Sequence, residues 1–177
     1  HMSTDCVFSG KKKEPYKETD FKDGEGVYAK TKGLGEIIND NHLTLRTSVI
    51  GPELKSDGEE LFHWFMFQSD EVDGYKGSIW SGVTTILLAK VVHWAIKNKI
   101  TGLYHVTNNN SISKYELLRL IKKYTNKKTT INPVIGKALN KSFIDTRNEL
   151  DFIIPNYEFM IKSMVELIRN NNKLYSQ

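Results

Sequence analysis

The sequence predicts an α/β fold built around a largely parallel sheet. Three observations carry that reading. Strand-like and helix-like segments alternate along the 177 residues, which is the order that places helices against a parallel sheet. Leu43–Ile50 is rich in β-branched and apolar residues and ends at Gly51-Pro52, as expected of a buried strand. The strongest helical periodicity, over Val83–Lys97, leads directly into a further strand at Leu103–Thr107. A content of 39% hydrophobic and 26% charged residues supplies a core and excludes a disordered chain.

The first element is a short strand at Ser3–Phe8, followed by a polar loop, Ser9–Glu25, rich in Lys, Asp and Gly. Val27–Asn39 reads as a helix, with Val27, Thr31, Leu34 and Ile38 at the i, i+4, i+7, i+11 spacing of one face. After the strand Leu43–Ile50, the aromatic run Leu61–Gln68 reads as a short helix and Ser78–Gly82 as a short strand or turn. Val83, Leu87, Val91, Trp94 and Ala95 form the stripe of the helix that follows. Ser113 opens the next one with a capping box, its hydroxyl accepting from the Glu116 amide and the Glu116 carboxylate returning to the Ser113 amide. Leu117, Leu118, Ile121 and Tyr124 form its inner face. Thr129–Ile135 reads as a possible strand. A last helix follows Pro155 with Phe159, Met160, Met164, Leu167 and Ile168 inward, and these read as core residues.

Composition also excludes several function classes. The formal charge of +4 comes from lysine, since Arg46, Arg119, Arg147 and Arg169 are the only arginines. Bidentate reading of phosphates and bases favours guanidinium groups, so nucleic acid is not the expected partner, and the basic stretch Lys114–Lys128 reads as a solvated helix face, with contact to an anionic partner as the alternative. The longest apolar run, Ile86–Ile96, is broken by Lys90 and His93 and is too short to span a membrane, and no apolar leader precedes Lys11–Lys13. A lone Cys6 suits a reducing compartment, so a cytoplasmic protein is expected. His42, His63, His93 and His105 stand at no metal-ligand spacing, so no metal is expected. His1-Met2 reads as a tag scar.

Two signals carry chemistry. Tyr28 and Lys32 are four residues apart, so on a helix the phenol and the ammonium share one face, and a neighbouring cation favours the phenolate. Thr4, at the end of the first strand, places a hydroxyl where it can donate to a carbonyl oxygen held beside that tyrosine. Either feature alone is commonplace on a helix surface or a strand; the combination is more specific.

The blocks Ser3-Thr4-Asp5-Cys6-Val7-Phe8-Ser9-Gly10, Tyr16-Lys17-Glu18-Thr19-Asp20, Val27–Glu36 and Leu45-Arg46-Thr47-Ser48 resemble, in order and spacing, those of the extended short-chain dehydrogenase/reductases. Within these the chain is most similar to the dTDP-4-dehydrorhamnose reductase-like group. Gly102–Val106, Ile112–Leu118 and Ser142–Arg147 are similar to that group's C-terminal, substrate-binding part. The resemblance implies a partial Rossmann-like sheet with a small α/β substrate-binding lobe. It implies NADPH or NADH as cofactor and a nucleoside-diphosphate 4-keto-6-deoxy sugar as substrate, on a route to surface polysaccharide. It makes Thr4 the hydroxyl on the C4 keto oxygen, Tyr28 the acid that protonates that oxygen, and Lys32 the contact to the nicotinamide ribose that tunes Tyr28. Asp5, Arg46 and Trp80 become substrate-side candidates. Arg46 either faces a diphosphate or pairs with a carboxylate, and Trp80 is either a sugar or base contact or a core residue.

Two departures qualify the resemblance. No Gly-x-x-Gly-x-x-Gly loop occurs, and Gly33-Leu34-Gly35 lies inside the tyrosine helix. An aromatic residue typical of rhamnose-forming members after Arg-Thr-Ser is replaced by Val49. The chain therefore reads as the C-terminal portion of a reductase. The C-terminal part of a Rossmann-type domain falls at 3–56, and 57–177 is mainly substrate lobe with interleaved Rossmann elements. Alone it is expected to be inactive, and open sheet edges would favour a homodimer or a strand-exchanged dimer. The alternatives are a nucleotide-sugar epimerase or dehydratase, disfavoured because Asp5 and not Glu follows Thr4, and a non-catalytic reductase-like binding subunit.

Overall fold

A computed structural model describes residues 1–55, 57–147, 149 and 151–171; residues 172–177 of the expected lobe lie outside that set. The sheet that positions the strand-end residues consists of β1 (Met2–Thr4), β2 (Leu43–Thr47) and β7 (Gly102–His105), in the order β1-β2-β7 and parallel throughout. The connection from β1 to β2 carries helix α1 (Gly26–Leu34). That from β2 to β7 carries β3 (Val49–Ile50), α2 (Leu61–Phe67), β4 (Glu71–Tyr75), β5 (Ser78–Trp80), β6 (Val83–Thr84) and α3 (Thr85–Lys97). Beyond β7 come β8 (Ile112–Ser113), α4 (Lys114–Thr125), β9 (Thr130–Val134), β10 (Leu139–Asn140) and α5 (Tyr157–Asn170). The fold class is the expected mixed α/β with parallel strands.

The strands of the lobe pair in small sets: β3 with β6 and β4 with β9 are parallel, and β5 takes β10 parallel and β8 antiparallel. The main core lies between α3, α4, α5 and these strands, with Phe65, Val83, Val91, Val106, Ile121 and Met164 fully buried. A second, smaller cluster of Val7, Phe8, Tyr16 and Phe143 lies beside β1, where the Phe8 and Tyr16 rings stack at 4.2 Å. Gly82 is required where it stands, because a Cβ there would lie 1.9 Å from the Ser48 carbonyl, which accepts from the Val83 amide at 2.9 Å. This close approach seats β6 against the end of β2.

Several expectations change in detail. The first strand stops at Thr4, because the Thr4 hydroxyl accepts from the Cys6 amide at 3.2 Å and turns Asp5–Val7 into a single 3-10 turn. The run 43–50 breaks at Ser48 into two strands. The strand β4 was not read from the sequence, although its exposed-buried alternation follows the pleat. The capping box at Ser113 and Glu116 forms as read. In α5, Phe159 and Leu167 face solvent, and Tyr157, Ile161 and Val165 take the inner face with Met160 and Met164.

The largest correction concerns α1. Val27, Leu34 and Ile38, expected on its inner face, are 80%, 85% and 60% exposed. The helix ends at Leu34 and packs through its small residues, with Ala29 and Gly33 buried. A Cβ on Gly33 would already touch the Val7 side chain at 3.7 Å, so the backbone of α1 sits close to the turn after β1.

Candidate active site

Thr4 and Asp5 occupy the C-terminal end of β1, the end at which open parallel sheets bind ligands. Both are buried, and the Thr4 hydroxyl donates to Asp5 Oδ1 at 3.1 Å. Burial raises the Asp5 carboxyl above the ordinary aspartate range, against the opposing pull of the Lys141 ammonium and of hydrogen bonds from Thr4, Ser48 and Cys6. The pair thus sets a carboxyl whose pKa burial raises beside a hydroxyl that donates to it.

Tyr28 lies in the first turns of α1, 60% exposed, and its phenol makes no hydrogen bond among the described residues. Lys32, one turn on, donates from Nζ to the Met2 carbonyl at 2.5 Å and so ties α1 to β1. Helix and strand are therefore held together by one of the two residues of the Tyr-x-x-x-Lys pair, while the phenol stays open. The contact between Lys32 and β1 was not legible in the sequence.

Trp80 is buried, with its ring 5.8 Å from that of Tyr157. It also lines a cavity of about 240 Å³ together with Asp5, Cys6, Ser48, Lys114 and Lys141. Trp80 is thus a core residue that also lines a cavity. Lys141 Nζ lies 3.4 Å from Cys6 Sγ. Ser48 stands in a resembling block without an assigned role, Lys141 carries no sequence signal, and Lys114, expected on a solvated helix face, lines the cavity instead, because nothing separates a cavity lysine from a surface lysine until the fold is known. Thr4, Tyr28, Lys32 and Arg46 do not line this cavity.

Arg46 takes the carboxylate alternative. It is 2% exposed, and its Nε and Nη2 bind the two oxygens of Glu36 at 2.6 and 2.7 Å. Its Nη1 donates to the Glu18 carbonyl and to His105 Nε2, each at 3.2 Å, and its guanidinium lies over the Phe8 ring. This leaves it no face for a diphosphate, and the substrate-contact expectation is corrected on that ground. Glu36 also accepts from Ser3 Oγ at 2.6 Å and Lys22 Nζ at 3.1 Å. Burial alone would raise its carboxyl, but these donors, Arg46 first, hold it below the usual glutamate range.

The same network joins the remaining blocks. A carbonyl can only accept and a guanidinium can only donate, so His105 is the neutral tautomer that donates from Nδ1 to the Ile144 carbonyl at 2.9 Å and accepts from Arg46 at Nε2. Burial, aided by Arg46 and opposed by Glu18, lowers its pKa to about 4. Glu18 accepts from the Thr146 hydroxyl at 2.7 Å, which fastens Ser142–Arg147 to the loop after β1. Burial would raise Glu18, but His105 and the Thr146 hydroxyl hold it low. Among the described residues no group of His, Cys, Asp and Glu could hold a metal ion, and no helix is long and apolar enough to cross a membrane.

Residues 1–145 match the family model of the RmlD substrate binding domain. The chain is 31% identical over 135 residues to the spore coat polysaccharide biosynthesis protein SpsK of Bacillus subtilis, covering 74% of this chain and 47% of that protein. Among solved structures it is similar to a dTDP-4-dehydrorhamnose reductase from Clostridium acetobutylicum, with a TM-score of 0.80 and 24% identity over 95% of this chain and 65% of that one. It is likewise similar to dTDP-4-dehydrorhamnose reductase from Bacillus anthracis, solved with NADP, with a TM-score of 0.78 and 24% identity over 94% of this chain and 64% of that one. The chain thus spans about half the length of the curated relative and under two thirds of these structures.

Proposed function

Because the chain belongs to the family of the RmlD substrate binding domain, we propose that it carries the catalytic and sugar-binding side of an NAD(P)H-dependent reductase acting on the 4-keto group of a nucleoside-diphosphate 4-keto-6-deoxy sugar. The reading extends to a role in surface polysaccharide synthesis, the setting in the name of the Bacillus subtilis relative. The observation that carries it is that Lys32 ties the helix bearing Tyr28 to the parallel strand that ends at Thr4. In domain terms, residues 3–56 belong to the Rossmann-type part and 57–177 mainly to the substrate lobe, with β7 and α3 returning to the sheet side.

Tyr28 and Lys32 fit the nicotinamide-ribose end of the dinucleotide: the phenol is open to a ligand, and Lys32 is held one turn away. The bound cofactor supplies the hydride that reduces the sugar carbon. The 177 residues include no glycine-rich loop for its pyrophosphate, so the chain alone is expected to be inactive.

The protein's own groups then divide the work. The Thr4 hydroxyl, which donates to Asp5 Oδ1 at 3.1 Å, turns its proton toward the keto oxygen and polarises it. Tyr28 delivers the proton that this oxygen gains, and Lys32, one turn on, contacts the nicotinamide ribose. Trp80 offers a wall for the sugar, and Lys114 and Lys141 offer charge to the diphosphate in the same cavity. An acid at position 5 bound to Thr4, and no glutamate beside it, supports reduction over epimerisation or dehydration. The open edge of β1, which among the described strands pairs only with β2, and the exposed face of α1 would receive a second copy or an exchanged strand.

The test is a fluorescence titration with NADPH of the intact protein that contains this chain, followed by product analysis with a keto sugar. Saturable binding, weakened by Tyr28→Phe with Lys32→Ala, and a reduced sugar as product are expected. NADPH binding that ignores both substitutions, or a product whose ring carbon is inverted without reduction, would sink the reading.

A further inference from the structure

A second cavity, of about 310 Å³, shares no lining residue with the one at the strand end. Its wall is apolar: Phe62, Met66 and Phe67 from α2, and Val165 and Ile168 from α5. Its size is that of small-molecule sites, which combine such walls with a few polar groups. Three of its polar groups are engaged within the protein. Thr125 donates to the Ile121 carbonyl at 2.7 Å, Glu53 accepts from the Glu60 amide at 2.7 Å, and Arg169 Nη2 donates to the Tyr124 carbonyl at 2.6 Å.

His63 is different. It is 8% exposed, it packs at 4.7 Å against the Phe67 ring, and among the described residues it makes no hydrogen bond. No side-chain nitrogen or oxygen among the described residues is both sealed from solvent and unpartnered, so the unpaired ring nitrogens of His63, a residue that lines the cavity, are reached by solvent. A ligand with a hydrogen-bonding group can take the place of solvent on the imidazole while its apolar part fills the cavity. Arg169 adds a positive charge at the exposed end, with Nε and Nη1 uncommitted.

We propose that this cavity binds a small aromatic carboxylate. Its ring takes the place among Phe62, Met66, Phe67 and Val165. Its acid group takes the hydrogen bond that His63 lacks and the charge of Arg169. The site lies apart from the keto-sugar cavity and does not rest on the reductase reading.

Benzoate is the probe, with toluene and acetate as controls, titrated into the full 177-residue chain and followed by the ring ¹⁵N signals of His63. Benzoate is expected to saturate and to shift those signals, and to bind at least about tenfold tighter than either control. His63→Phe should weaken benzoate about tenfold, and Arg169→Gln by about threefold or more. His63→Gln, which keeps a hydrogen-bonding group, should stay within about threefold of the parent and guards against a folding defect in the phenylalanine variant. Toluene binding as tightly as benzoate, unmoved His63 signals, or benzoate affinity indifferent to His63→Phe would overturn the proposal.

Discussion

The polar groups around β1 and β2 fall into two regions that solve opposite problems. Behind the strands, Arg46, Glu36, His105, Glu18 and Thr146 form a network in which the donors and acceptors answer one another. At the strand end, Thr4 and Asp5 are paired, but the Tyr28 phenol is left exposed and a cavity opens beside Asp5. A closed network fixes geometry, and an open one has bonding capacity left for a ligand. The arginine belongs to the first and the tyrosine to the second, although both stand in blocks that suggested substrate contact.

The largest effect should come from breaking the closed region. Arg46→Leu leaves Glu36 buried without its main partner, and removal of one member of a buried pair costs about 3–5 kcal/mol. Urea denaturation should show that loss; a change below about 1 kcal/mol would mean the network is held elsewhere. The next effect is set by pH. Folded His105 has a pKa of about 4, below the ~6.5 of an unfolded histidine. The unfolded chain therefore takes up the proton first, and this contribution to stability is complete above about pH 6.5 and lost as pH falls toward 4. Lowered Glu18 and Glu36 add a further loss at lower pH. His105→Phe should flatten the stability profile between those two values, measured as urea midpoint against pH, and an unchanged slope would contradict the assignment.

The smallest effect on stability belongs to the open side. Leu34 is 85% exposed, so Leu34→Glu should shift stability by no more than about 0.5 kcal/mol. If the face of α1 receives a second copy, the same variant should lower the apparent mass in sedimentation. A destabilised but equally associated variant would place Leu34 in the core instead.

What the sequence made legible follows the same division. Local rules sufficed for the capping box at Ser113 and Glu116 and for Tyr28 and Lys32 on one helix, since each depends on residues close in the chain, while the parallel sheet followed from the alternation of elements. The inward face of α1 failed because periodicity marks an apolar stripe without saying what covers it, and Ala29 and Gly33 pack more closely than Val27 and Leu34 would allow. Arg46 could not be assigned because its partners Glu36, Glu18 and His105 lie 10, 28 and 59 residues away. Lys114 and Lys141 reach the cavity only through the pairing of β10 with β5 and of β5 with β8.

The most direct test compares Tyr28→Phe with Glu36→Gln in the intact protein, reading kcat/KM for keto-sugar reduction beside the unfolding midpoint of each. Tyr28→Phe should lose about 10²–10⁴-fold in kcat/KM with its midpoint unchanged, and Glu36→Gln should lower the midpoint. A Tyr28→Phe enzyme that keeps its rate would contradict the assignment of the open region to chemistry.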